Sequence, residues 1–303
     1  MARIVVCGPE MAQFGAALAR ELDESLCQAM VERFPDGEMH VILPERVTDL
    51  DVTLVQSLLS PAGERLVELS LLADACRRAR AARVTLFLPY LAYARQDRCT
   101  RRGEALGGEV VAGLVSLAGF DRIVAVDLHS DAALGWFRAP LQHLSVGPDL
   151  AEAVRSSLPA SSVVVSPDLG GAKRAERVAK LLGKPLAIVH KTRGEREVIV
   201  HRVLGDVRGQ APLVVDDMIS TGGTIAAAAD ALRQAGCVPP LTVLATHALL
   251  VGDAIDRLRA AQVACLVHSD SLPTRELPFP NVVVPLAPIV ASALREEFPW
   301  NPK

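Results

Sequence analysis

No charge dominates this chain. Its 32 Lys and Arg against 35 Asp and Glu leave a net charge of −3, so no overall basic field gathers nucleic acid, and an anionic ligand must be held by local groups. Cysteine is present but unpatterned: Cys7, Cys27, Cys76, Cys99, Cys237 and Cys265 form no CxxC or Cys/His spacing. Neither a zinc site nor a disulfide framework is indicated, and reduced thiols are expected. No apolar run approaches the ~20 residues that span a bilayer, and MARIVVCGPEM has neither a long apolar region nor a small-residue cleavage site. The expectation is a cytoplasmic protein with no membrane or nucleic-acid partner.

What the chain does have is rhythm. Half of its 303 residues are hydrophobic, enough for one large core or two ordinary ones, and domain size favours two. Short β-rich runs (Ile4 to Cys7, Val52 to Gln56, Val84 to Leu88, Ile123 to Val126, Val163 to Val165, Ala187 to Val189, Leu213 to Val215, Thr242 to Ala245) alternate with helical patterns such as Pro9 to Leu22, Pro61 to Arg80 and Leu106 to Ala118. That alternation predicts an α/β fold with doubly wound parallel sheets. It occurs twice, and Gly147-Pro148 punctuates the chain between the halves, giving expected domains 1–146 and 147–303. A closing helix over Pro285 to Phe298 could pack back on the first domain. Two segments break the rhythm: Arg33 to Arg46, read as a strand after a turn at Pro35-Asp36-Gly37, and the charged stretch Lys191 to Asp206, read as a hairpin or a flap.

The richest stretch is LVVDDMISTGGTIA, Leu213 to Ala226. It reads as a strand ending at Asp216 and Asp217, a loop of Ser220, Thr221, Gly222, Gly223 and Thr224, and then a helix. Glycines allow close backbone approach, the hydroxyls donate, and the helix start offers unpaired N–H groups, which together suit a phosphate monoester. Two carboxylates beside it require a ligand with hydroxyl donors or a bound cation. A sugar phosphate meets both demands. With no Lys after the glycines, the loop is not a nucleotide P-loop, nor is it GxGxxG.

Ligands of open α/β sheets bind beyond the carboxyl ends of strands. At such ends stand Arg95, Gln96 and Arg98, which could grip phosphates and read a base or be merely solvated. His129 and Asp168 could share a divalent metal or be structural. Lys191 and Arg193 could stabilise charge on a transferring phosphorus or form a basic turn. Phe34 to Glu38 alone reads as a β-turn.

Together these places resemble the ribose-phosphate pyrophosphokinase family, in its order and over nearly the whole chain. Phe34-Pro35-Asp36-Gly37-Glu38 is similar to the family's Phe-Ser-Asp-Gly-Glu segment, Tyr93-Ala94-Arg95-Gln96-Asp97-Arg98 to its ATP loop, Asp127-Leu128-His129 and Ser166-Pro167-Asp168 to its metal segments, Lys191 with Arg193 to its Lys-x-Arg, and Asp216 to Thr224 to its ribose-5-phosphate loop. The resemblance implies two similar phosphoribosyltransferase-like domains. It implies transfer of the β,γ-diphosphoryl group of ATP to the 1-hydroxyl of ribose 5-phosphate, giving phosphoribosyl pyrophosphate (PRPP) and AMP for nucleotide and amino-acid biosynthesis. The implied roles are catalysis by Lys191 and Arg193, ATP binding by Phe34, Asp36, Gly37, Glu38, Arg95 and Gln96, sugar-phosphate binding by Arg193, Asp216, Asp217, Ser220, Thr221, Gly222, Gly223 and Thr224, and Mg²⁺ at His129 and Asp168. It also implies self-association as a dimer or higher, up to a hexamer, with Phe34 to Glu38 reaching a neighbouring subunit. The alternatives are a phosphoribosyltransferase that consumes PRPP and a non-catalytic regulatory homologue. The chain departs from the pattern at Ser220, often Asp, at Ala132 and Trp136, often Gln and Phe, and over Arg98 to Glu104.

Overall fold

Apolar, β-branched runs buried on both faces make parallel strands, because crossover helices must cover each side. The computed structural model describes residues 2–193 and 198–296, and they form two units, each with such a sheet. Unit 1 comprises the chain up to Leu144, with Ser271–Pro273 and the chain from Pro285 onward; unit 2 comprises Ser145–Asp270 and Thr274–Val284.

Unit 1 contains β1 (Arg3–Cys7), α1 (Ala12–Leu22), β2 (Ser25–Gln28), β3 (Met30–Arg33), β4 (Met39–Ile42), β5 (Asp51–Val55), α2 (Ala62–Arg78), β6 (Arg83–Leu88), α3 (Gly107–Leu117), β7 (Arg122–Val126) and β8 (Leu141–Leu144). Its six-stranded sheet has the order β2-β1-β5-β6-β7-β8 and is parallel throughout. Val5, Leu54, Leu86, Phe87 and Val124 are fully buried in it, and Phe14 of α1 stacks on Phe87 at 5.3 Å. β3 and β4 form a separate antiparallel ladder, so the segment after Arg33 is the second arm of a hairpin. Gly37, at φ +93°, closes its tip and donates its N–H to the Phe34 carbonyl at 2.8 Å; that backbone favours glycine.

Unit 2 contains α4 (Gly147–Val154), β9 (Ser162–Ser166), α5 (Ala172–Leu182), β10 (Leu186–Arg193), β11 (Val198–Leu204), β12 (Ala211–Ile219), α6 (Gly223–Gln234), β13 (Leu241–Ala248), α7 (Ala254–Ala260), β14 (Val263–Ser269) and β15 (Asn281–Val284). The sheet order is β11-β10-β9-β12-β13-β14-β15, parallel except for the β10–β11 pair. The charged stretch after Val189 is therefore an antiparallel pair. α8 (Ala287–Arg295) belongs to unit 1, where it packs on α1. There Arg122 donates to the Ala293 carbonyl at 3.0 Å, and Arg295 donates to the Glu21 carbonyl.

With β11 set aside, the two sheets have the same order. In each, the second strand lies outside the first and the chain then crosses to the first strand's other side. The switch point, where ligands of such sheets bind, falls between β1 and β5 in unit 1 and between β9 and β12 in unit 2.

Candidate active site

The strand β12 runs through Asp216 and Asp217 instead of stopping before them. It pairs with β9 only over Ala211–Val214 but with β13 as far as Ile219. Beyond Val214 the side toward β9 is unpaired, and the two acids stand at the mouth this leaves. Arg174 of α5 reaches them, its Nη1 lying 3.3 Å from Asp217 Oδ1 and 3.7 Å from Asp216 Oδ1. Asp216 also accepts the Asp217 N–H at 2.9 Å. Burial pushes the Asp216 carboxyl well above the usual range, and the neighbouring Asp217 adds to the rise; Arg174 opposes it and Asp168 reinforces it. Among the described residues, carboxylates thus outnumber cations at this mouth, and bound hydroxyl donors or a cation would relieve the excess.

After Ile219 the chain turns through Ser220 and Thr221 into Gly222, whose φ of +74° caps α6. A Cβ there would also stand 3.2 Å from the Ala254 carbonyl, so glycine is needed for space as well as conformation. Gly223 and Thr224 open α6, and its first turn carries no acidic side chain, leaving N–H groups and the positive dipole end toward the loop. Asp168, after β9, is held by its own loop: the Gly171 N–H donates to Asp168 Oδ1 at 3.0 Å, and Ser166 Oγ donates to its carbonyl at 2.7 Å.

In unit 1, the loop after β6 places Arg95 and Gln96 on the surface behind Tyr93, a non-glycine residue at φ +64°. Such strain is retained where surrounding structure enforces it, and it clusters at ligand sites. The Gln96 N–H donates to the Tyr93 carbonyl at 2.9 Å. Beside it opens a mainly apolar cavity of about 340 Å³ lined by Leu58, Leu66, Tyr93, Gln96, Val110 and Leu114. His129 follows β7 by way of Asp127, another strained residue at φ +35°, whose N–H donates to the Leu144 carbonyl at 2.9 Å. Phe34, Asp36, Gly37 and Glu38 are exposed at the hairpin tip; Phe34 stacks on His40 at 5.6 Å, and Asp36 Oδ1 accepts the Glu38 N–H at 3.1 Å.

Unit 2 therefore brings Asp168, Asp216 and Asp217 within electrostatic reach of one another, with the Ser220–Thr224 loop continuing β12. His129 belongs to unit 1 and Asp168 to unit 2. Lys191 and Arg193 lie on β10, opposite Val200 and Val198; their side chains are outside the described residues. Among the described residues, no three His, Cys, Asp or Glu side chains group as a metal cluster, and no helix is long and apolar enough to cross a membrane. Arg174 was not singled out from the sequence. Its signal would have been a cation in the first turn of the helix following a strand-end Asp-x-Gly-Gly loop.

A mainly parallel sheet whose central strand carries paired acids into a hydroxyl- and glycine-rich helix start defines an α/β protein with an anion-suited helix start at its switch point. The family model for the N-terminal domain of ribose phosphate pyrophosphokinase matches residues 3–119, and that for the phosphoribosyl transferase domain matches residues 149–258. The chain belongs to the ribose-phosphate pyrophosphokinase family. It is 40% identical to the ribose-phosphate pyrophosphokinase of Streptomyces avermitilis over 296 residues, 96% of this chain and 90% of that one. Against the enzyme of the same name from Chromobacterium violaceum it is 39% identical over 95% of this chain and 88% of the other. The crystal structure of phosphoribosylpyrophosphate synthetase from Mycobacterium smegmatis superposes with a TM-score of 0.89 at 36% identity, covering 97% of this chain and 98% of that one.

Proposed function

We propose that this enzyme transfers the β,γ-diphosphoryl group of ATP to the 1-hydroxyl of ribose 5-phosphate, releasing PRPP and AMP. The observation that carries the reading is β12 outrunning β9, which presents Asp216 and Asp217 at an open strand edge leading into the Ser220–Thr224 loop. In this assignment Ser220, Thr221, Gly222, Gly223 and Thr224 hold the 5-phosphate with hydroxyl and backbone donors. Asp216 and Asp217 accept hydrogen bonds from the ribose hydroxyls and so orient the nucleophile. Arg174 would offset part of the repulsion between the two carboxyls.

Arg95 and Gln96 of unit 1 would bind the triphosphate and adenine, with Phe34, Asp36, Gly37 and Glu38 contributed by a neighbouring copy. Lys191 and Arg193 would offset charge developing on the transferring phosphorus, Arg193 also meeting the sugar phosphate. The excess of carboxylate at Asp168, Asp216 and Asp217 fits Mg²⁺, which prefers one or two protein carboxylates together with substrate phosphates and water; Asp168 and His129 are the residues assigned to it. When bound, it would neutralise phosphate oxygens.

Self-association is supported by apolar surface on unit 1. Phe34 is 51% exposed at the hairpin tip, while Val110, Leu114 and Leu117 form an exposed i, i+4, i+7 stripe on α3. A cytoplasmic setting suits the free thiols and ATP as donor. Purified protein given only ATP, Mg²⁺ and ribose 5-phosphate should form AMP and PRPP in equal amounts. AMP absent under those conditions, with activity appearing only when PRPP and a base are supplied, would instead identify a phosphoribosyltransferase.

A further inference from the structure

The start of α3 is unusually crowded for a helix that opens with two glycines. Gly107 and Gly108 lie outside the left-handed region, so backbone freedom does not require glycine there; space does. A Cβ on Gly107 would collide with Gln96 Oε1 and stand 2.9 Å from its Cδ. One on Gly108 would stand 2.5 and 2.7 Å from Cζ3 and Cη2 of Trp136, and 3.2 Å from the Tyr93 carbonyl. The two indole atoms met at Gly108 belong to its six-membered ring.

Gly108 also anchors the loop after β6. The Gly108 N–H donates to the Gln96 carbonyl at 3.2 Å, and Gln96 in turn donates to Tyr93. Farther along, Thr100 and Arg101 bond to the Glu104 carboxylate, inside the loop itself. Gln96 is thus held by the first turn of α3, and the same turn bears on Trp136. Trp136 ends the 3₁₀ turn Asp131–Gly135 that follows His129, so one half-buried indole links the segment after β7 to the loop after β6.

We propose that Trp136 is a positioning residue for the nucleotide half of the reaction. Its indole, seated on Gly108, sets the height of the α3 start beneath the Tyr93–Gln96 loop and thereby the placement of Arg95 and Gln96 toward ATP. The proposal rests on the assignment of Arg95 and Gln96 to ATP. Displacing a positioned group by ~1 Å costs on the order of a hundredfold in rate or effective binding, so a methyl wedged between helix and indole is enough to register.

The test is a size-swap cycle read on both substrates. Gly108→Ala should raise the KM for ATP by about tenfold while the KM for ribose 5-phosphate stays within about twofold. Adding Trp136→Phe removes the ring atoms that the new methyl meets, and the double variant should recover most of the loss, an interaction between neighbours that a cycle isolates. Calorimetric binding of a non-hydrolysable ATP analogue, with thermal melts of every variant, separates placement from unfolding. If Gly108→Ala does not fold, Trp136→Phe and Trp136→Leu alone must raise the KM for ATP in order of lost ring volume. The proposal is overturned if both KM values move together, or if the folded double variant shows no recovery. Gln96→Ala distinguishes the two levels: an unchanged KM for ATP removes the nucleotide assignment and the proposal with it, whereas a raised KM beside an inert Gly108→Ala defeats the Trp136 role alone.

Discussion

Asp216 is held against its own chemistry. A carboxyl pushed up by burial and by Asp217 retains a proton in the folded protein at pH values where the unfolded chain has released it. Its contribution to stability is present below about pH 4, the range in which the unfolded carboxyl titrates, and is lost as pH rises through the folded value. Asp216→Asn should therefore raise the melting temperature of the ligand-free enzyme more at pH 8 than at pH 5. It should also weaken ribose 5-phosphate binding by about tenfold or more, the loss of a hydrogen bond to a charged group. Differential scanning fluorimetry at the two pH values, with calorimetry for the sugar, checks both; a melting temperature lowered at pH 8 would contradict the argument. Lys191→Ala should cost ~3–4 kcal/mol, roughly 10²–10³ in kcat, with ribose 5-phosphate binding little changed. Unaltered turnover in the AMP assay would remove Lys191 from the reaction.

At the scale of elements, the phosphate loop depends on Gly222. Alanine there meets a left-handed backbone costing ~1–2 kcal/mol and places its methyl against the Ala254 carbonyl. Gly222→Ala should raise the KM for ribose 5-phosphate by about tenfold with the KM for ATP nearly unchanged; steady-state kinetics with each substrate varied would expose a common rise. Much of this element was legible beforehand, since the apolar run, acids, glycines and hydroxyls stand in order along Leu213 to Ala226. The true length of β12 was not. Paired acids usually end a strand, and pairing with β13 as far as Ile219 is a tertiary fact no local pattern encodes. Strands β2, β8 and β15 were also hidden, for they are short edge strands with largely half-exposed or exposed residues. The contacts of Arg174 and Trp136 were not readable, because their partners are brought to them through space from other elements.

At the scale of the molecule, two sheets of like order carry unlike ends. The α/β class was readable from the repeated rhythm, while the pairing of α8 with α1 needed coordinates, since an apolar helix pattern does not name its partner. A chain ending after Pro285 should leave the α1 face bare, bind a hydrophobic dye strongly and melt at a lower temperature than the full protein. An unchanged melting curve would show that α8 adds nothing to unit 1.

The return of α8 to unit 1 also sets a timetable. During synthesis, β1 and α1 leave the ribosome before unit 2, yet the helix that packs on α1 is made only after the whole of unit 2. Unit 2 has all its strands before α8 is made and can close first, whereas unit 1 must wait with an uncovered apolar face on α1 until α8 emerges.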